Sequence, residues 1–158
     1  METTTQKRFR DNQEHLGIFA DEFLVVCPRC QKCARVIALG ALGNTRLRPH
    51  RLLCSFCAYY KDTEATYSQQ RPDQDWYFGC PLWLSIECAD GHIWAFNYQH
   101  LAWLEHYVRA TLRERRPDKW GWSSWSAVNR LPTWIKSAKN WRAILHGIAR
   151  IKRNALTT

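Results

Sequence analysis

The sequence contains no long hydrophobic run. No window approaches the roughly 18 apolar residues that a membrane-spanning helix requires. Residues 1–15 are polar and mixed in charge, without the apolar core of a signal peptide. These absences predict a soluble, cytoplasmic protein with no membrane partner. The seven cysteines of the 158-residue chain fit that reducing compartment if most of them bind metal rather than form disulfides.

The sequence also lacks the short motifs of common enzyme classes. There is no glycine-rich phosphate loop, no HExxH and no GxSxG. Residues 98–158 contain only three acidic side chains, Glu105, Glu114 and Asp118. A magnesium-dependent nuclease needs several converging carboxylates. We therefore predict that the protein is not an enzyme.

Acidic residues are scarce where basic residues are abundant. Residues 1–97 contain 11 Lys or Arg and 11 Asp or Glu, so this part is neutral. Residues 98–158 contain 12 Lys or Arg and three acids, and they carry the whole net charge of +9. This asymmetry suggests an anionic partner for the C-terminal part, although a basic surface that only maintains solubility gives the same count.

Two cysteine pairs form the most specific motif of the chain. Cys27 and Cys30 enclose two residues, Cys54 and Cys57 do the same, and 23 residues separate the pairs. Four thiolates in two such knuckles can close a tetrahedral zinc site. The alternative is two redox pairs or disulfides, but a redox CxxC normally opens a helix, and nothing helical is predicted after either pair.

We therefore predict one structural Zn²⁺ ion, bound by all four of these cysteines. A closed four-sulfur site leaves no open position for water or substrate. The metal would instead hold together a small module that buries too little apolar surface to fold alone.

The remaining thiols leave weaker alternatives open. Cys33 closely follows the first pair and is either a substitute ligand or a packing thiol. Cys80, Cys88 and His92 have ligand-like spacing but no evident fourth group, so a second metal site and ordinary packing both stay open. A nucleophile pair of Cys33 and His50 has no support beyond the residue types.

Composition divides the chain into segments. Residues 1–16 are predicted to form a polar N-terminal arm. Residues 17–66 contain both knuckles, with strand-like runs at 17–26, 34–39, 51–53 and 58–60. After a polar boundary, residues 76–158 are predicted to form a β-hairpin and a basic, Trp-rich helical region that packs as one unit with the cysteine-containing segment.

The pattern after residue 76 predicts a hairpin and two main helices. Asp90 and Gly91 separate two aromatic or β-branched runs, as in a tight hairpin. Asn97 is a suitable N-cap, and apolar residues at 101, 104, 108 and 112 predict a helix through Arg116, which Pro117 ends. A last helix is predicted over 140–154, with a buried face formed by Trp141, Ile144, Leu145, Ile148 and Ile151.

Cations and indoles are interleaved in the C-terminal part. Between Arg109 and Arg153 there are twelve Lys or Arg and five Trp. Cations neutralise phosphates and indoles stack on unpaired bases, which is the chemistry of nucleic-acid binding. The indoles at 134 and 141 occupy apolar helical positions typical of a core, whereas those at 120, 122 and 125 lie in irregular chain. The candidate phosphate contacts are Arg113, Arg116, Lys136, Lys139, Arg142, Arg150 and Arg153, with Arg29 and Lys32 of the first knuckle as possible additions.

The four paired cysteines and their strand-like flanks, residues 20–66, resemble the transcription-factor-IIB-type zinc ribbon. The wider region 25–153 is similar to a group of small bacterial zinc-ribbon proteins through segments 81–84, 94–97, 100–105 and 131–140. The resemblance implies a bacterial, intracellular protein with a ribbon, a hairpin and C-terminal helices. Zinc ribbons serve DNA, RNA and protein partners alike, so the resemblance does not select a function.

The sequence therefore predicts an α+β protein that binds nucleic acid, DNA or RNA, through a basic, Trp-rich C-terminal face without catalysis. The alternative is a protein-interaction module, such as an adaptor, antitoxin or immunity-type protein, that docks an acidic partner protein. Exposed Trp and Arg are also the residues that dominate protein interfaces.

Overall fold

The computed structural model describes residues 7–40, 48–64, 71–110, 112–115 and 126–157. These residues form both strands and helices, which confirms the α+β class. The strands are β1 (Arg8–Asp11), β2 (Glu22–Val26), β3 (Cys33–Ala38), β4 (His50–Leu53), β5 (Tyr60–Thr63), β6 (Leu84–Cys88), β7 (Gly91–Ala95) and β8 (Leu112–Arg115). The helices are α1 (Tyr98–Arg109), α2 (Ala127–Arg130), α3 (Thr133–Lys136) and α4 (Trp141–Leu156).

Strands β2 to β5 form one antiparallel sheet in chain order, which we name the ribbon sheet. The register places the end of β2 beside the start of β3, and the end of β4 beside both β3 and the start of β5. Both CxxC turns therefore lie at the same end of the sheet. Alternate side chains on one face are buried, as the period of a strand requires: Phe23, Val25, Val36 and Leu52.

The first strand of the ribbon sheet is shorter than the predicted run 17–26. Leu16–Phe19 forms a 3₁₀ helix, and β2 begins only at Glu22. Phe19 is nevertheless buried, because its ring stacks on His100 with a centroid distance of 4.8 Å. This segment therefore packs against α1 although it is not part of the sheet.

Two segments expected to be irregular or helical form a small parallel sheet instead. β1 lies within the predicted polar arm, and β8 lies where α1 was expected to continue to residue 116. Helix α1 ends at Arg109 because the backbone of Ala110 is extended, with φ −71° and ψ 127°. Phe9 of β1 is buried against the ring of Tyr107, 5.1 Å away. This burial and the strand pairing favour the extended conformation over a longer helix.

The predicted hairpin is confirmed as β6 and β7, which are antiparallel and joined by a turn at residues 89–90. Gly91 is required there by a close approach. A Cβ at this position would lie 2.4 Å from the indole of Trp134. Trp134 therefore packs directly on the hairpin, as expected for a core indole.

Helix α4 packs across the hairpin. Ile144, Ile148 and Ile151 are buried, as predicted, and Gly147 lets the helix approach closely, since a Cβ there would lie 2.6 Å from Ile93 Cδ1. Trp141 differs from the expectation, because its side chain is 43% exposed. It is the first residue of α4 and lines a cavity beside the C-terminal end of α1.

The junction between the ribbon sheet and the helices is hydrogen-bonded. Asn97 caps α1 as predicted, since its side-chain oxygen accepts from the His100 N–H at 2.9 Å. Its side-chain NH₂ donates to the carbonyls of Phe19 and Glu22, each at 2.8 Å. Within the described ranges, no helix is both long and apolar enough to cross a bilayer.

Candidate metal centre and basic face

The two CxxC turns have the same backbone geometry. In each, the N–H of the first cysteine donates to the carbonyl five residues later, at 2.8 Å in the first turn and 2.9 Å in the second. The residue after each pair, Gln31 or Ala58, has a positive φ of 61° or 56°. This left-handed residue turns the chain back into the next strand, so each pair of cysteines lies at the tip of a tight loop.

The four cysteine sulfurs converge within 4.8 Å of one another. The Sγ–Sγ distance is 3.7 Å between Cys27 and Cys57 and 3.5 Å between Cys30 and Cys54. A disulfide would bring two sulfurs to about 2.05 Å. A tetrahedral ion with metal–sulfur bonds of about 2.3 Å separates its ligands by roughly 3.8 Å. The distances therefore fit four ligands of one metal ion and not two disulfides.

The electrostatics of the cluster favour a bound cation. Burial raises the pKa of the Cys27 thiol, but hydrogen bonds from the N–H groups of Cys30 and Arg29 and from the Cys54 and Cys57 thiols together lower it to about 7. Burial, with the neighbouring thiols, raises the pKa of Cys57 to about 12. Four adjacent thiols therefore do not all ionise unless a cation compensates their charge. Four soft sulfur ligands suit zinc or iron.

Cys33 lies outside this cluster. It begins β3, and its side chain packs against the core formed by the hairpin and the helices. Burial raises the pKa of its thiol to about 11. Cys33 is therefore a packing thiol and not a substitute ligand.

The alternative second metal site is not formed. Cys80 packs in the core of the ribbon sheet, Cys88 ends β6 beneath α4, and His92 Nε2 lies 2.5 Å from Ser85 Oγ. In the part of the chain that the structure describes, only the two CxxC pairs bring three or more metal-binding side chains together. The ligand-like spacing of Cys88 and His92 therefore reflects hairpin packing.

The nucleophile pair of Cys33 and His50 is also not formed. Cys33 begins β3, whereas His50 pairs with Ala38 at the other end of that strand. Five residues at about 3.3 Å each separate them by roughly 16 Å along the strand. The imidazole of His50 is buried, stacks on Tyr77 and hydrogen-bonds through Nδ1 to the Arg48 carbonyl. Burial lowers its pKa.

The structure reveals one cluster that sequence reasoning missed, in which Ser85, His92 and Glu87 adjoin across the hairpin. The strand register places His92 directly opposite Glu87, and this pairing is visible only once the turn is fixed. His92 Nδ1 lies 3.7 Å from Glu87 Oε1, and the Glu87 side chain is 82% exposed. That distance is too long for the hydrogen bond that orients a catalytic imidazole. The cluster is a cross-strand polar contact.

Two of the predicted phosphate contacts are tied into the fold. The Arg113 guanidinium donates to the Tyr107 carbonyl at 3.3 Å and to the Lys136 carbonyl at 3.1 Å. It also lies 4.4 Å from the centre of the Tyr107 ring. Lys136 Nζ donates to the Asn129 carbonyl at 3.5 Å. Both cations are half-buried and link β8, α2 and α3.

Four other predicted contacts are exposed. Arg142, Arg150 and Arg153 follow one face of α4, and Lys139 lies one turn before it. None of these four side chains lies within ion-pair distance of a carboxylate among the described residues. We name Lys139, Arg142, Arg150 and Arg153 the basic face. The remaining prediction, Arg116, and the indoles at 120, 122 and 125 lie outside the described residues.

No family model matches the chain, and no curated protein or solved structure matches it. The cysteine cluster and the basic face are therefore the features of the described residues that bear on function.

Proposed function

We propose that this protein binds nucleic acid through the basic face without catalysing a reaction, and that a zinc ribbon serves as its scaffold. The observation that carries the proposal is the charge of α4. This helix contains no acidic residue, and Arg142, Arg150 and Arg153 lie exposed along one side over about 16 Å at 1.5 Å per residue. Such a row of unneutralised cations matches a row of phosphates.

The metal in this proposal is zinc, and the ribbon is of the transcription-factor-IIB type. Two equivalent knuckles at one end of an antiparallel sheet, with four converging sulfurs, support that assignment. A bacterial protein of the reducing cytoplasm fits the same picture, since the thiols of such a site stay available for metal there.

Fluorescence-polarisation titration tests the proposal. The zinc-loaded protein is titrated with labelled single-stranded and duplex DNA and RNA of equal length, at low and physiological salt. We expect binding whose logarithmic salt dependence has a slope of several units. The variant R150E/R153E should bind about tenfold or more weakly, and its salt slope should fall by about one unit for each phosphate that the variant no longer neutralises.

The matched control is K61E/R71E, which makes the same change in charge on exposed residues outside the basic face. If both variants bind the probes equally weakly, only the net charge of the protein matters, and the basic face is not the binding site. Absence of binding to every probe at low salt would contradict nucleic-acid binding altogether.

A second candidate function, docking of a partner protein, is favoured by apolar exposure on the ribbon sheet. Leu53, Phe56 and Tyr60 are 41%, 54% and 65% exposed around the second knuckle. Leu53 and Tyr60 face each other across β4 and β5. If no probe binds, a pull-down that compares the native protein with F56S tests this surface. A partner captured by both proteins equally would exclude the surface as the docking site.

A further inference from the structure

A cavity of about 450 Å³ lies between the C-terminal end of α1 and the first turn of α4. Its wall is apolar and its rim is cationic, and none of the described residues that line it is acidic. The size falls in the usual range of ligand pockets, about 300–1,000 Å³. Eight of the described residues line it: the apolar Val108, Ala110, Ala138, Trp141 and Leu145 and the cationic Lys7, Arg109 and Arg113.

The rim keeps a positive charge although one carboxylate lies nearby. Glu105 accepts from Arg109 at 2.9 Å and also hydrogen-bonds Lys152. These cations, Lys152 first, lower the pKa of Glu105. One carboxylate therefore faces two cations. Arg113 is held in place by two backbone carbonyls and the ring of Tyr107, so its guanidinium is fixed at the rim.

Trp141 supplies a stacking surface inside this cationic rim. Its side chain is 43% exposed, and it lies at the first residue of α4 instead of in the core. The guanidinium of Arg142 lies 5.1 Å from the centre of its ring. An exposed indole with cations around it suits a flat, uncharged aromatic group that is attached to an anion, such as a base with its phosphate.

We propose that this cavity takes one unpaired base of a single-stranded nucleic acid, stacked on Trp141, with an adjacent phosphate at Arg109 and Arg113. The inference rests on the proposed function and narrows it from nucleic acid in general to single strands. A base within a duplex is stacked on its neighbours and cannot enter a cavity without being flipped out. Two residues of the basic face, Lys139 and Arg142, directly follow the lining residues Ala138 and Trp141 in the chain.

The test compares probes that differ only in their bases. Labelled (dT)12, (rU)12, an abasic 12-mer with the same phosphates and a 12-base-pair duplex are titrated into the zinc-loaded full-length protein by fluorescence polarisation. We expect the native protein to prefer the single strands with bases over the abasic strand. W141A should weaken binding of (dT)12 by about 5- to 100-fold, and it should leave abasic binding unchanged.

Two further variants separate stacking from folding. W141F keeps a ring and should retain most of the affinity for (dT)12. L156A removes an apolar side chain that is 84% exposed at the other end of α4, and it should bind like the native protein. Zinc content and circular dichroism confirm that each variant is folded.

The possible outcomes are distinct. Equal binding of (dT)12 by W141A and the native protein, or equal binding of abasic and normal strands, would overturn the cavity assignment while leaving the basic face intact. Preference for the duplex would do the same. Absence of binding to any probe would refute the proposed function and this inference with it.

Discussion

At the residue scale, the carboxylate of Asp75 holds the loop over residues 75–80 in one conformation through hydrogen bonds to the backbone. Its side chain is 1% exposed and accepts three backbone N–H groups, from Tyr77 at 2.9 Å, Phe78 at 2.7 Å and Cys80 at 2.6 Å. D75N replaces one of the two acceptor oxygens with an NH₂ group and leaves a buried donor facing backbone donors. We expect it to lower the free energy of unfolding by about 1–3 kcal/mol, measured by urea denaturation of the metal-loaded protein.

The control D73N changes an exposed carboxylate two residues away and should leave the free energy of unfolding within about 0.5 kcal/mol of the native value. Equal stability of D75N and D73N would show that the loop is held by packing alone.

At the scale of the elements, we expect a metal ion bound by the four cysteines to determine whether the ribbon sheet forms. Such an ion would join the turn between β2 and β3 to the turn between β4 and β5, because each turn carries two of the four sulfurs. Structural zinc contributes about 10–16 kcal/mol in isolated fingers, more than most whole domains have in net stability. C54S, or chelation at neutral pH, should therefore abolish amide-exchange protection in β2 to β5, as followed by hydrogen-exchange mass spectrometry. C88S alters a thiol outside the cluster and should keep one zinc per chain and full protection. If the C54S protein contains no metal but its amides in β2 to β5 are protected as in the native protein, the ion has no structural role.

The same scale shows what sequence patterns reveal and what they do not. The convergence of the four paired cysteines, the hairpin turn and the Asn97 cap were predictable because each depends on a few residues with fixed local spacing. The extent of α1 was not, since an apolar residue at 112 continues the helical stripe as well as it serves a strand. The deciding partner is β1, about a hundred residues earlier in the chain, and single-sequence periodicity carries no information about it. The exposure of Trp141 was missed for a related reason, because the residues beside it, such as Val108 and Arg113, are distant in the sequence.

At the scale of the whole molecule, His100 lies where the ribbon sheet, the hairpin and α1 meet. Its ring is 2% exposed among Phe19, Trp94, Phe96 and Trp103, and Nδ1 accepts the Phe96 N–H at 3.2 Å. Burial lowers its pKa from the ordinary 6.5 to about 4. The unfolded chain therefore binds a proton at a pH where the folded chain does not. The resulting stability is fully present above about pH 6.5 and is lost as the pH falls toward 4.

This linkage amounts to at most about 3 kcal/mol, since one pKa unit corresponds to about 1.36 kcal/mol. Urea denaturation at pH 7, 6 and 5, with zinc content measured at each pH, should show the free energy of unfolding declining with acid. H100Q retains a side-chain acceptor but cannot titrate, so its decline should be shallower. Some decline should persist in H100Q, because burial lowers the pKa of His50 as well and acts with the same sign. If the free energy of unfolding falls equally with acid in the native protein and in H100Q while zinc stays bound, protonation of His100 does not cause the loss of stability. The acid sensitivity would then originate in the ribbon sheet, where His50 is buried. Aromatic packing would hold the ribbon sheet against the helices at every pH.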